Sequence, residues 1–155
     1  MSVKPIPDGY HSVTPYLIVR GAAKAIDFYA AVFGATELMR MDAPGDKIGH
    51  AEIKIGDSIV MLADENPQWS AEGPELLGGT PVHLMVYVED CDGVFKKAIA
   101  AGASETRPLK DQFYGDRSGT LVDPFGHQWT VATHKEDLSA EEMQKRAAAE
   151  GGAGV

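Results

Sequence analysis

The chain has 155 residues, 44% of them hydrophobic and 24% charged, enough for one domain with a real core. A net charge of −9 argues against a nucleic-acid or anionic-membrane surface, and no stretch approaches the roughly 18 apolar residues of a membrane span. The single cysteine, Cys91, allows no internal disulfide, and MSVKPIPDGYHSV lacks the apolar centre of a secretion signal, so the expected location is the cytoplasm.

Residues 1–10 carry two prolines and a glycine and read as an extended arm. His11 to Arg20 is an apolar strand, and Gly21 to Phe33 a helix with Ile26, Phe28, Tyr29, Val32 and Phe33 on its apolar side. Thr36 to Met41 reads as a strand and 43–47 as a turn. His50 to Ile55 alternates with period two, and Gly56-Asp57 folds it back into Ser58 to Ala63 as a hairpin. Residues 64–81 are polar and rich in glycine and proline, which predicts a linker or lid, with Trp69 stapled onto the body or, as the less favoured alternative, forming an aromatic wall over a ligand.

The order then repeats. His83 to Val88 is a strand, and residues 91–101 form a helix with Asp90 or Asp92 as its cap and Gly102 at its end. Ser104 to Leu109, Ser118 to Val122 and His127 to Thr133 are strands, the last two joined by an Asp123-Pro124-Phe125-Gly126 turn. Each half is therefore β-α-β-β-β, a duplication of architecture with little residue identity. Ser139 followed by Glu142 has the form of a capping box and opens a terminal helix, after which GGAGV is expected to fray.

Two such units, with AIDFYAAVFGA after the first strand and DPFGHQW before the last, resemble the vicinal oxygen chelate superfamily of glyoxalases, bleomycin-resistance proteins and extradiol dioxygenases. TPYLIV, HAEIKIGDSIVMLADE and GDRSGTLVDPFGHQWTVATH look most like its PhnB-like subgroup. The resemblance covers about residues 10–135 and implies an α+β fold. Modules 10–64 and 81–135 would each curl a mixed sheet into a half-barrel around a shared cavity, with 136–155 as a C-terminal helix and frayed tail. It also implies a homodimer.

Enzymes of the group hold a divalent metal through side chains on the opening and closing strands of both units. Carried over, those positions fall on Thr14, Met61 (or Val60 if the register is one residue off), His83 and Thr130, only one of which is a customary ligand. The expected function is therefore metal-free binding or sequestration of a small organic molecule, with no cofactor. Tyr16, Met85 and Tyr87, together with Phe113 and Tyr114 of the KDQFYGDRS loop, join Thr14, Met61, His83 and Thr130 as candidate ligand contacts. Asp116 and Arg117 are expected to pair and fix that loop.

The alternative is a lyase, isomerase or dioxygenase with a rearranged divalent-metal site, using His83 as base or ligand. His50 and Glu52, two apart on one strand face, are the other possible donors. The simpler reading makes them a solvated face continued by Lys54. A third possibility is a structural dimer with a vestigial cavity. Cys91 reads as a small buried residue rather than a nucleophile, His127 as exposed in its turn, and His134 as structural or solvated.

Overall fold

The computed structural model describes residues 2–151. Its elements are β1 (Tyr16–Val19), α1 (Ala22–Phe33), β2 (Thr36–Ala43), β3 (Lys47–Ile55), β4 (Ser58–Asp64), a one-turn α2 (Pro74–Leu77), β5 (His83–Tyr87), α3 (Cys91–Ala100), β6 (Ser104–Asp111), β7 (Asp116–Val122), β8 (Gln128–His134) and α4 (Ala140–Ala149). The β-α-β-β-β order appears twice, as the sequence predicts. The first strand is shorter than expected: residues 11–15 lie outside it, and Thr14 precedes it by two positions. GGAGV lies almost wholly outside the described residues.

Each repeat forms its own four-stranded mixed sheet, ordered β1-β4-β3-β2 and β5-β8-β7-β6. The helix crossover makes the outer pair of each sheet parallel, and hairpins make the rest antiparallel. Both sheets are open. By contacts the chain forms two compact units, one of residues up to 81 with 124–127, the other of 82–123 with 128 onward.

In the first unit α1 is alanine-rich, and Ala22, Ala25, Ile26, Tyr29 and Val32 fall on one buried face at helical spacing. Gly34 ends it in the left-handed conformation (φ 68°), where a glycine pays no Cβ penalty. Tyr29 is fully buried beside Phe28 and Phe125, with ring centroids 5.6 and 6.2 Å away. Phe125 arrives from the DPFG turn. His127 of that turn is half-buried rather than exposed, and its Nε2 donates to the Ile18 carbonyl at 2.9 Å. The turn's backbone carries it onto a carbonyl of β1.

One closing-strand position fastens the helix in each unit. Asp64 ends β4. Its Oδ1 accepts the Gly21 and Ala22 N–H groups at 2.8 and 3.0 Å, and its Oδ2 accepts the Ile48 N–H at 2.8 Å. α1 has no acidic residue in its first turn and no side-chain cap of its own, so this carboxylate supplies both from another strand. In the second unit Thr133 of β8 accepts the Cys91 N–H at 3.0 Å and donates to the Val88 carbonyl at 2.8 Å. Asp90 adds the local cap, accepting the Gly93 N–H at 3.0 Å.

The segment 64–81 is more structured than a linker. Asn66 and Ala71 form a β-bridge around a 3-10 turn at Pro67–Trp69, and α2 follows. Trp69 is not a staple: it is 81% exposed at the outer tip of this turn. Cys91 is buried, as expected. Ser139 caps α4 by accepting the Glu142 N–H at 3.1 Å, and α4 buries no residue. No helix among the described residues is long and apolar enough to cross a membrane.

Candidate functional site

Strand register lays one row of side chains across each sheet. In the first unit Met39, Glu52, Met61 and Tyr16 are successive cross-strand partners. In the second the corresponding row is Arg107, Thr120, Thr130 and Met85. The two rows match position for position in register, but no residue is shared between them.

In the first row the carboxylate is tied up in hydrogen bonds, while Tyr16 at the end of the row stays 48% exposed. Glu52 is only 8% exposed, so it is not part of a solvated face. The Tyr10 hydroxyl donates to its Oε2 at 2.5 Å, and His50 Nε2 lies 3.4 Å from its Oε1. His50 Nδ1 shares a 2.8 Å hydrogen bond with the Tyr16 hydroxyl. Alternation placed His50 and Glu52 on one face, but it could not show that residues 10 and 16 would cover them. The phenol of Tyr16 is raised above its ordinary range by burial and then by the Glu52 charge, and that of Tyr10 chiefly by its hydrogen bond to Glu52. Both tyrosines are therefore donors at neutral pH.

The second row is open. An open cleft of about 620 Å3 lies over it, lined entirely by second-unit residues. Met85, Leu84 and Tyr114 supply apolar surface, and Met85 is 45% exposed. Thr120 and Thr130 share a hydroxyl–hydroxyl bond of 3.0 Å on the floor. Gln112, Gln128, Arg107 and Lys110 provide polar groups around it. His83 lines the same cleft. It is exposed, and no hydrogen bond orients its ring among the described residues. An imidazole without an orienting partner can contact a ligand, but it lacks the third group that usually fixes a catalytic base.

The structure thus gathers His83, Met85, Tyr114 and Thr130 in one cleft. Tyr16 and Met61 are register partners in the other sheet, with Thr14 just before it. Phe113 packs edge-on against Tyr114, centroids 5.2 Å apart, and is absent from the cleft lining. Tyr87 turns to Asp116 instead, donating to its Oδ2 at 2.9 Å, which raises the phenol. Thr120, Gln112 and Arg107 were not read from sequence. Period-two alternation in 118–122 could have placed Thr120 beside Thr130, whereas irregular register on either side of Arg107 hides that residue's face.

Asp116 and Arg117 do not pair with each other. Successive residues of a strand point to opposite faces. Arg117 holds Asp92 at 2.8 Å and Asp111 at 3.3 Å. Asp116, 4% exposed, accepts from Tyr87 and lies 2.7 Å from His134 Nδ1, while His134 Nε2 lies 2.8 Å from Asp137. Only a doubly protonated ring satisfies both carboxylates, so the His134 pKa is raised, first by Asp137 and then by Asp116. A raised folded-state pKa gives stability that is present below the unfolded value near 6.5 and lost as pH rises through the folded value. Asp137→Asn should therefore lower the melting temperature at about pH 5.5 and leave it unchanged at about pH 9. A deficit equal at both pH values would contradict this assignment.

The four carried-over metal positions hold Thr14, Met61, His83 and Thr130. Two neutral hydroxyls and a thioether beside one imidazole do not make a donor set for a divalent cation such as zinc or manganese. Among the described residues no group of three or more His, Cys, Asp or Glu side chains is arranged to hold a metal.

The model of the glyoxalase/bleomycin resistance protein/dioxygenase superfamily matches residues 9–131. The chain belongs to that superfamily. A protein of Mycobacterium bovis named uncharacterized protein Mb0911c is 40% identical over 143 residues, covering 90% of this chain and 94% of that one. Among solved structures, TioX from Micromonospora sp. ML1 is similar at 29% identity and a TM-score of 0.62, over 83% of this chain and 100% of that one. PA1353 from Pseudomonas aeruginosa is similar at 25% identity and a TM-score of 0.65, over 81% and 99%. A Bacillus cereus protein described as a putative 3-demethylubiquinone-9 3-methyltransferase, PhnB protein, shares the fold at 22% identity, with a TM-score of 0.62 over 79% and 99%.

Proposed function

We propose that this protein binds a small organic molecule in the second-unit cleft, without a metal. The observation that carries the reading is the second-unit cleft itself: Met85, Tyr114 and a hydroxyl-bonded threonine pair face an open space of about 620 Å3, whereas the carboxylate of the matching first-unit row is already bonded to Tyr10 and His50. Concave, mainly apolar surface with a few convergent polar groups is the usual form of a small-molecule site. Three non-ligand residues at the four carried-over positions favour this reading over a lyase, isomerase or dioxygenase that works through a metal at His83. The GDRSGTLVDPFGHQW and TPYLIV motifs further align the chain with the PhnB-like subgroup.

The test is ligand binding with and without metal. Protein dialysed against chelator should bind a neutral aromatic probe such as phenylnaphthylamine as tightly as protein supplied with zinc or manganese. Near-stoichiometric metal in protein purified without chelator, and loss of probe binding on its removal, would overturn the reading.

We also propose a homodimer. Each open sheet ends in two edge strands that have no further strand partner in the sheet, and edges of this kind favour association. Closed two-fold pairing is the commonest solution. Sedimentation equilibrium should give twice 16.6 kDa, and a species of 16.6 kDa alone at micromolar concentration would refute the dimer.

A further inference from the structure

We propose that the molecule taken by the second-unit cleft is an organic anion, an apolar or aromatic body bearing a carboxylate or sulfonate, with Arg107 as its anion anchor. The proposal rests on the cleft being a ligand site and adds the chemical class of the ligand. Its first support is local charge. The protein is strongly acidic, with 23 carboxylate side chains against 14 Lys and Arg, yet no Asp or Glu lines the cleft. The charged side chains that do line it are Arg107 and Lys110.

The second support is what the arginines do. Arg20 holds Glu65 and Glu75, Arg40 holds Glu37, Arg117 holds Asp92 and Asp111, and Arg146 holds Glu136 and Glu142. Arg107 is the remaining one of the chain's five arginines, and it has no ion pair among the described residues. Nor does Lys110. In a protein with an excess of carboxylates, an unpaired guanidinium at a cleft is a planar, permanently charged fork suited to a carboxylate or sulfonate.

Geometry supplies the third support. Arg107 stands opposite Thr120, whose hydroxyl bonds that of Thr130, and Thr130 stands opposite Met85. One line across the sheet therefore runs from a cation through two hydroxyls to an exposed thioether. An amphipathic anion laid along it would meet charge at one end and apolar surface at the other. The register irregularities flanking Arg107 fit a strand that bends to re-aim a side chain. The alternative use of such a residue is to guard a sheet edge with a solvated charge.

Two probes with the same ring system separate these uses. Anilinonaphthalene sulfonate carries the anion, and phenylnaphthylamine lacks it. Fluorescence titration of the full chain should show the sulfonate binding at least tenfold tighter than the neutral amine. Arg107→Ala should weaken the sulfonate at least tenfold and leave the amine within twofold, and Arg107→Lys should recover part of the loss. Arg40→Ala, which removes a paired surface arginine, should alter neither. Far-ultraviolet circular dichroism checks that each variant is folded. Equal affinity for the two probes, or a sulfonate affinity indifferent to Arg107→Ala, would overturn the anion assignment while the cleft reading stood. Equal weakening of both probes would overturn it too, since Arg107 would then be shaping the cleft. Failure of both probes to bind would bring down the cleft reading and this inference with it.

Discussion

Replacing Asp64 with alanine is expected to destabilise the protein by roughly 3 kcal/mol. The carboxylate accepts three backbone N–H groups within 3.0 Å, two from the start of α1 and one from β3. Hydrogen bonds to a charged acceptor are worth more than neutral ones, and truncation leaves half-buried donors without their partner. Three bonds to one residue are not additive, which keeps the figure below their sum. Asp64→Asn retains one acceptor oxygen and should cost about half as much. The matching Thr133→Val in the second unit removes one accepted and one donated bond to neutral backbone and should cost about 1 kcal/mol. Urea unfolding of the three variants checks the order. An Asp64→Ala loss no larger than that of Thr133→Val would show that α1 is held by packing alone.

Gly126→Ala is expected to cost about 3 kcal/mol, for two independent reasons. Gly126 has φ near +95°, in the left-handed region that side chains avoid, and a Cβ there would stand 2.6 Å from Pro74 Cβ. Pro74 is buried at the start of α2 and has little room to give. Relief of the clash alone does not restore the backbone. Pro74→Gly, which removes the Cβ that Gly126→Ala would meet, should therefore recover only part of the loss when combined with Gly126→Ala, relative to Pro74→Gly alone. A double variant as stable as Pro74→Gly would assign the whole effect to the steric contact. A Gly126→Ala protein that melts like the parent would contradict both reasons.

These two positions differ in how far the sequence announces them. The DPFG stretch states its turn chemistry locally, so the turn was legible although the burial of Phe125 and His127 was not. Asp64 closes a strand of ordinary appearance, and its role exists only because β4 lies beside the start of α1. Periodicity and glycine placement were enough for the two β-α-β-β-β repeats, and Asp90 and Ser139 act as the local caps their positions predict. The site was legible in part. Alternation put His83 and Met85 on one face, and family correspondence added Thr130. Sequence could not see that Tyr10 reaches Glu52 from outside the strand, that Trp69 stays in water, or that irregular register flanks Arg107. Those are through-space facts, and no spacing rule carries them.

The measurement that bears most directly on the ligand site is residue-resolved amide chemical-shift mapping of the full chain with phenylnaphthylamine. Saturable shifts should concentrate on His83–Met85, on Thr106–Tyr114 and on the cleft-lining stretches at 118–120 and 128–130. Shifts centred instead on Tyr10, Tyr16, His50 and Met61, or spread over both sheets without saturation, would contradict a binding site in the second unit.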